Sequence, residues 1–328
     1  MKKIVNSPFD VVSDMLKGMA KAHPKLRYVE KLEVICKAEK EPGKVGLVSG
    51  GGSGHEPAHG GYVGKGMLDA AVAGNVFASP SPDRIIRGIQ EASTGKGVLL
   101  IIKNYSGDIM NFDMAKELAE LEDIEVETVV VKDDVAVPDS TYSTGRRGIA
   151  GTVFVHKIAG AKAAEGGSLA EVKATAEKTV ANLRSMGMAM TPCILPAVGK
   201  AGFTLGENEI EVGMGIHGEP GVARTAVQTA AELAQTLLQK ILNDYDYRGK
   251  EVAVMVNGLG GTPLMELYIL FNEVEQLLIR QNIRLYRSFV GNYMTSLEMS
   301  GASLTLLELD DELKALLDAP CDVPAFRV

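Results

Sequence analysis

The 328-residue chain is 46% hydrophobic and 23% charged, the composition of an ordinary globular protein with length for one large domain or two. Its net charge of −8 is spread over both halves with no basic patch or acidic tail, which argues against nucleic acid and anionic membrane as partners and favours a small molecule. Cys36, Cys193 and Cys321 lie far apart without CxxC spacing, so neither a disulfide framework nor a thiolate metal site is expected, and a reducing cytoplasm fits.

Met1-Lys2-Lys3 begins like a secretory leader, but Ile4-Val5 gives way at once to Asn6, Ser7 and Pro8, so no apolar leader core is expected. No window approaches a membrane span. Ser7 and Pro8 read as the N-cap and first position of a helix, on which Val11, Val12, Met15, Leu16 and Met19 recur at helical spacing. After His23-Pro24 the β-prone residues 27–35 and a polar linker lead to a short apolar run, 45–48. That run enters Val48-Ser49-Gly50-Gly51-Gly52-Ser53-Gly54-His55-Glu56-Pro57. Its glycines predict a turn with positive φ and bare amides, within reach of a small oxygen-rich ligand, and the turn delivers His55. A single glycine turn is equally well read as a strand-to-helix connection with a solvated histidine.

Strand-like and helix-like segments then alternate over 70–73, 82–91, 98–102, 108–121 and 124–131, which predicts a largely parallel sheet flanked by helices. Such sheets bind ligands at the carboxyl ends of their strands. Two loops fit, the glycine turn and Lys103-Asn104-Tyr105-Ser106-Gly107-Asp108. Alanine-rich helices are expected over 148–164 and 169–186, followed by a Gly- and Pro-rich stretch, 191–221. A domain junction near Gly187 divides the chain into an N-terminal α/β domain, 1–187, and a smaller C-terminal α/β domain, 188–328. In the second, a helix over 222–242, a strand over 252–256, a helix to about 279, strands at 283–290 and 303–307 and a helix at 311–317 are expected. The glycine-rich loop from Asn257 to Thr262 reads as a structural turn.

His55-Glu56-Pro57-Ala58-His59 matches the zinc-protease pattern HExxH. That pattern needs both histidines one turn apart on a helix, whereas Pro57 is tolerated only in a first turn, which leaves His55 outside the helix. No metal site is expected. Every Gly-Lys pair lacks the upstream glycine and following Ser or Thr of a P-loop, and His55 occupies the third glycine position of a dinucleotide fingerprint. A self-contained ATPase and an NAD enzyme are therefore both unsupported. What remains is Gly52, Ser53, His55, Lys103 and Asp108 in the first half with His217 in the second. His55 and His217 lie in glycine-flanked loops, where binding groups concentrate. His156 reads as a helix residue and His23 as a helix end. Taken singly, Lys103 and Asp108 are as well explained by a solvated pair or a charge at a helix N-terminus.

The combination resembles the substrate-binding K subunit of the bacterial dihydroxyacetone kinases. Gly50 to Pro57, Lys103 to Asp108, Thr144-Gly145-Arg146-Arg147-Gly148 and Gly215-Ile216-His217-Gly218-Glu219-Pro220-Gly221 each resemble a family motif, in order. The resemblance implies that His217 forms a covalent hemiaminal with the ketone carbon of dihydroxyacetone. It also implies that His55 and Asp108 bind hydroxyls and transfer protons, while Gly52, Ser53, Gly54 and Lys103 complete the pocket. Family members that use ATP carry a second, nucleotide-binding domain. A chain ending at Val328 is similar to the phosphotransferase-system type, in which a separate L subunit holds ADP and Mg2+ and an M-type donor rephosphorylates that ADP. Such K subunits are homodimers and are inactive alone. The segment between Gly221 and Glu251 is short for the family, which puts in doubt any contact an insertion there would make.

The chemistry is coherent in itself. A triose offers little surface, so a covalent link to a neutral imidazole fixes it where contact alone binds weakly. Attack requires a carbonyl, which excludes glycerol, and a tethered C2 aligns a terminal hydroxyl whose proton Asp108 is suited to accept. Which imidazole nitrogen attacks stays open at this level. A non-catalytic dihydroxyacetone-sensing coactivator would share the pocket. A fatty-acid-binding protein of related architecture would instead need an apolar tunnel and no reactive histidine.

Overall fold

A computed structural model describes residues 2–138 and 143–328, organised around two six-stranded sheets. Helix α1 (Val11–Ala22) leads into the hairpin β1 (Leu26–Val29) and β2 (Val34–Lys37). β3 (Gly46–Ser53), β4 (Ala70–Val76), α2 (Pro82–Ala92), β5 (Val98–Lys103), α3 (Ser106–Glu120) and β6 (Val126–Val131) complete the first half. Its sheet order is β1-β2-β4-β3-β5-β6, with β4, β3, β5 and β6 parallel and the hairpin added antiparallel at the edge.

The second half runs α4 (Thr152–Ala164), α5 (Leu169–Ala181), β7 (Leu183–Ala189), β8 (Glu209–Val212), β9 (Ala223–Ala226), α6 (Ala230–Asp244) and β10 (Glu251–Gly258). α7 (Leu264–Arg280), β11 (Arg284–Gly291), β12 (Gly301–Glu308) and α8 (Asp311–Asp318) follow. The order β11-β10-β12-β7-β8-β9 is antiparallel except between β10 and β11. β7, which contains Gly187, lies wholly in this sheet. α4 is buried nearly all round and its apolar residues sit in one core with Leu47, Leu99 and Ile101 of the first sheet and Ala253, Met255 and Leu307 of the second. The two halves therefore share a buried interior.

Several boundaries differ from those expected, for identifiable reasons. Gly50, Gly51 and Gly52 belong to strand β3, because Gly50 and Gly51 pair with Val72 and Ala73 of β4 in a parallel ladder. Residues 27–35 form a hairpin, not one strand. α1 starts at Val11 after Asp10, so Ser7 and Pro8 precede it. α4 begins at Thr152, because the Asp133 carboxylate accepts the N–H groups of Ile149 (2.8 Å) and Gly151 (2.9 Å) ahead of it. α5 stops at Ala181, and Leu183 to Met186 join β7, where burial on both faces overrides helical propensity. Residues 222–229 hold β9, and α6 starts at Ala230 behind a capping box of Thr229 and Glu232. His156 lies in α4 and His23 is the C-cap of α1. Among the described residues no helix is long and apolar enough to cross a membrane.

Candidate active site

β3 and β5 are parallel neighbours, and the strand that follows β3 in the chain lies on its other side. Their carboxyl ends thus flank a crevice of the kind in which open sheets bind ligands. A cavity of about 470 Å³ opens there, lined by Gly52, Phe77, Ser79, Tyr105, Ser106, Gly107, Asp108, Leu195 and His217. The N-terminus of α3 and the loop between β8 and β9 meet across it.

His217 comes from that loop, and its side chain is 13% exposed. The ring meets His55 edge-on with centroids 4.8 Å apart, Tyr105 at 4.6 Å and Phe77 at 5.3 Å. Its backbone N–H donates to Glu219 Oε2 (2.9 Å), and its Nδ1 lies 2.7 Å from Glu219 Oε1. Burial opposes ionisation of Glu219, but the facing His217 and the Arg147 guanidinium outweigh it and hold the carboxyl down at about 2. An ionised carboxylate only accepts, so in the neutral imidazole the proton is on Nδ1 and Nε2 presents the lone pair. Arg147, fully buried, donates to Asp134 Oδ2 through Nε (2.8 Å), to the Gly213 carbonyl through Nη2 (2.7 Å) and to the Pro220 carbonyl through Nη1 (3.5 Å).

His55 is fully buried and stacks on Phe77, with centroids 5.1 Å apart. Its Nδ1 donates to the carbonyl of Thr295, 2.8 Å away in the second half. Burial first, then His217 and Lys103, hold its pKa well below the ordinary imidazole value. The neutral ring therefore keeps its one proton on Nδ1, and Nε2 is a buried lone pair with no partner. Lys103, fully buried at the end of β5, places Nζ 3.6 Å from Asp108 Oδ2 and 3.4 Å from the Gly50 carbonyl. Asp108, in the first turn of α3, is 3% exposed, and its Oδ1 has no partner. Unpartnered buried polar atoms are uncommon in folded proteins, so His55 Nε2 and Asp108 Oδ1 mark where a polar ligand is expected.

Gly51 (φ +149°) lies against the Lys103–Asp108 pair, and a Cβ there would come within 2.3 Å of Lys103 Nζ. Of the residues singled out from sequence, Gly52, Asp108 and His217 line the cavity directly, and His55 and Lys103 stand immediately behind them. Ser53 and Gly54 face elsewhere. The Ser53 hydroxyl donates to the Gly74 carbonyl (2.8 Å) and the Gly54 N–H to Glu56 Oε1 (3.0 Å). Ser53 borders a separate cavity of about 20 Å³ behind the strand, together with Gly51, Gly52 and His59.

Residues 55–59 form no helix. His59 Nδ1 meets His156 Nε2 at 2.9 Å, away from His55, so the two histidines of the HExxH pattern share no face. Among the described residues no group of three His, Cys, Asp or Glu side chains is placed to hold a metal ion. Sequence reasoning missed Glu219, Thr295 and Tyr105 and assigned no role to Arg147. The spacing of Glu219 two residues after a loop histidine is a usable local signal, whereas Thr295 is brought in only by the tertiary fold.

Residues 17–325 match the family described as the Dak1 domain. The chain is 54% identical, over 99% of its length and 100% of the relative's, to "PTS-dependent dihydroxyacetone kinase 1, dihydroxyacetone-binding subunit DhaK" of Listeria innocua. Its fold is similar to that of the dihydroxyacetone kinase of C. freundii, with a TM-score of 0.92 and 37% identity over 99% of this chain and 60% of that one. It is equally similar to the "dihydroxyacetone kinase operon co-activator Dha-DhaQ", with a TM-score of 0.91 and 38% identity over 95% and 97% of the two chains.

Proposed function

The chain belongs to the Dak1 domain family, and on that premise we propose that it is the dihydroxyacetone-binding subunit of a phosphotransferase-system-dependent dihydroxyacetone kinase. The observation that carries this reading is the orientation of His217, whose Nδ1 is held by Glu219 at 2.7 Å while its ring lines the cavity beside Asp108. Nε2 is the nitrogen left free to attack.

In the proposed reaction the Nε2 lone pair forms a bond to C2 of the ketone, and the carbonyl π pair moves to oxygen, which takes a proton from solvent. The product is a hemiaminal on an imidazolium that the Glu219 carboxylate stabilises. His55 Nε2 accepts a hydrogen bond from a triose hydroxyl. Asp108 Oδ1 takes the proton of the terminal hydroxyl as its oxygen attacks the incoming phosphorus, and the donor's bridging oxygen leaves with its electron pair. The Lys103 ammonium faces the negative charge gathering there.

The donor is ADP-derived nucleotide with Mg2+ on a separate L subunit, recharged by an M-type phosphotransferase-system protein, and the K subunit works as a cytoplasmic homodimer. The name of the Listeria relative, a PTS-dependent kinase subunit, supports the phosphotransferase-system part of this assignment. The fold does not choose between kinase subunit and coactivator, but 54% identity to the former against 38% to the latter favours the kinase.

The test is native intact-mass spectrometry of the chain with dihydroxyacetone, with His217→Ala as control. One added triose on the parent and none on the variant is expected, and an adduct on neither, or on both, would overturn the assignment. If the adduct forms but adding L subunit and phosphoryl donor yields no dihydroxyacetone phosphate, the coactivator reading replaces the kinase.

A further inference from the structure

Thr144-Gly145-Arg146-Arg147-Gly148 takes no part in the steps above, yet it carries a guanidinium with no exposure to solvent. We infer that Arg147, with Asp134 as its counter-ion, is a positioning residue that acts through Glu219 to hold His217 as the Nδ1–H tautomer. This rests on reading His217 as the nucleophile.

Three observations carry it. First, one guanidinium reaches both ends of the loop that bears His217, bonding the carbonyls of Gly213 (2.7 Å) and Pro220 (3.5 Å). The loop cannot shift relative to the first half without breaking these bonds. Second, Arg147 and Glu219 converge on the same small space. A Cβ added at Gly215 would come within 2.0 Å of Glu219 Oε2 and 2.7 Å of Arg147 Nη1. A cation this close favours the carboxylate form of Glu219, and the carboxylate in turn accepts the Nδ1 proton.

Third, the anchor is rigid. Asp134 follows Asp133, whose carbonyl accepts the Ser185 N–H (2.7 Å), and the Ser185 carbonyl accepts the Val135 N–H (2.9 Å). The guanidinium is thus tied down where first-half chain pairs with β7. The fork is needed as well as the charge, because Nε and Nη2 both face Asp134 while Nη2 and Nη1 reach the loop. The charged and titratable groups around Glu219 are His217, Arg147 and Tyr105, and those around Arg147 are Asp134, Tyr105 and Glu219.

The test is nitrogen-15 NMR of the full chain labelled at histidine, at pH 8 and without ligand, with His217→Ala to assign the signal. The parent is expected to show Nδ1–H at His217. Arg147→Met should give a mixture of tautomers, and Arg147→Lys, which keeps the charge and loses the fork, an intermediate ratio. A double-mutant cycle on dihydroxyacetone dissociation then combines Arg147→Met with Glu219→Gln. Arg147→Met is expected to weaken the adduct about tenfold and Glu219→Gln about ten- to a hundredfold, and the pair no more than the larger single loss, because both act through one contact. Either an unchanged tautomer ratio in a folded Arg147→Met chain, or losses that add, overturns the inference. Should Arg147→Met fail to fold, Arg147→Lys and Asp134→Asn carry the same spectral readout. A parent chain that forms no adduct sinks the triose assignment, and the ligand-free spectrum still decides this one.

Discussion

His217 Nδ1 lies 2.7 Å from Glu219 Oε1, two residues along the same loop, and the carboxylate is buried with Arg147 at its back. This contact decides which nitrogen of His217 is nucleophilic, a choice that residue types alone leave open. It also places a negative charge beside the ring that becomes cationic on alkylation.

Glu219→Gln keeps an acceptor of the same shape and removes that charge. Dihydroxyacetone is expected to bind about ten- to a hundredfold more weakly, the range for losing a hydrogen bond to a charged group. Calorimetric titration of parent and variant checks this, and equal affinities would show that the carboxylate charge is unimportant.

Asp108→Asn preserves the size of a side chain whose Oδ1 faces no partner in the protein. Adduct formation is expected to survive, while phosphorylation by the reconstituted kinase slows by about two to four orders of magnitude, the scale of losing a general base. Parallel losses of adduct and rate would mean that Asp108 only holds the substrate.

Gly51→Ala inserts a methyl 2.3 Å from Lys103 Nζ at a φ of +149°. The backbone is unsuited to an L side chain and the methyl must push aside a fully buried ammonium, so about 1–3 kcal/mol of stability should be lost, as for other overpacked interiors. Lys103 should also be displaced from Asp108. Urea unfolding together with triose titration tests both effects, and parent-like values in both would contradict the packing.

His55, His59 and His156 are buried and neutral in the folded chain, each pushed down first by desolvation, with His156 held at about 3. Above about pH 6.5 the folded and unfolded chains both keep these rings neutral. As pH falls below that value the unfolded chain takes up protons that the folded one excludes, so stability declines, for His156 until about pH 3. Each ring adds about 1.4 kcal/mol per pH unit within its window. His156→Gln should therefore flatten the dependence between pH 6 and 4.5 by about that slope. Parallel slopes in urea titrations of parent and variant would refute the assignment of a neutral His156.

The alternation of apolar and polar segments was enough to establish an α/β chain with a largely parallel first sheet, because the patterning that buries a strand or one face of a helix is local. The same holds for the loop after β5, whose charges lie next to the strand that delivers them, whereas the glycines 50–52 read as a turn until β4 pairs them into β3. Element ends were less legible. Leu183 to Met186 look helical until β12 pairs with them on one side and Asp134 bridges Ser185 on the other, and α4 starts late because Asp133, far outside the helix, takes the amides that precede it. The site itself divides in the same way. His55, Asp108 and His217 could be singled out by residue type and loop context, but the proton positions on the two imidazoles depend on Thr295 and Glu219. Thr295 lies 240 positions from His55, and the buried Glu219 is held ionised by His217 beside it and by Arg147, from the other half, in the same pocket. Sequence determined which groups were available for the chemistry. Only the tertiary structure decided their tautomers and charges, because those depend on burial and on partners that no local pattern records.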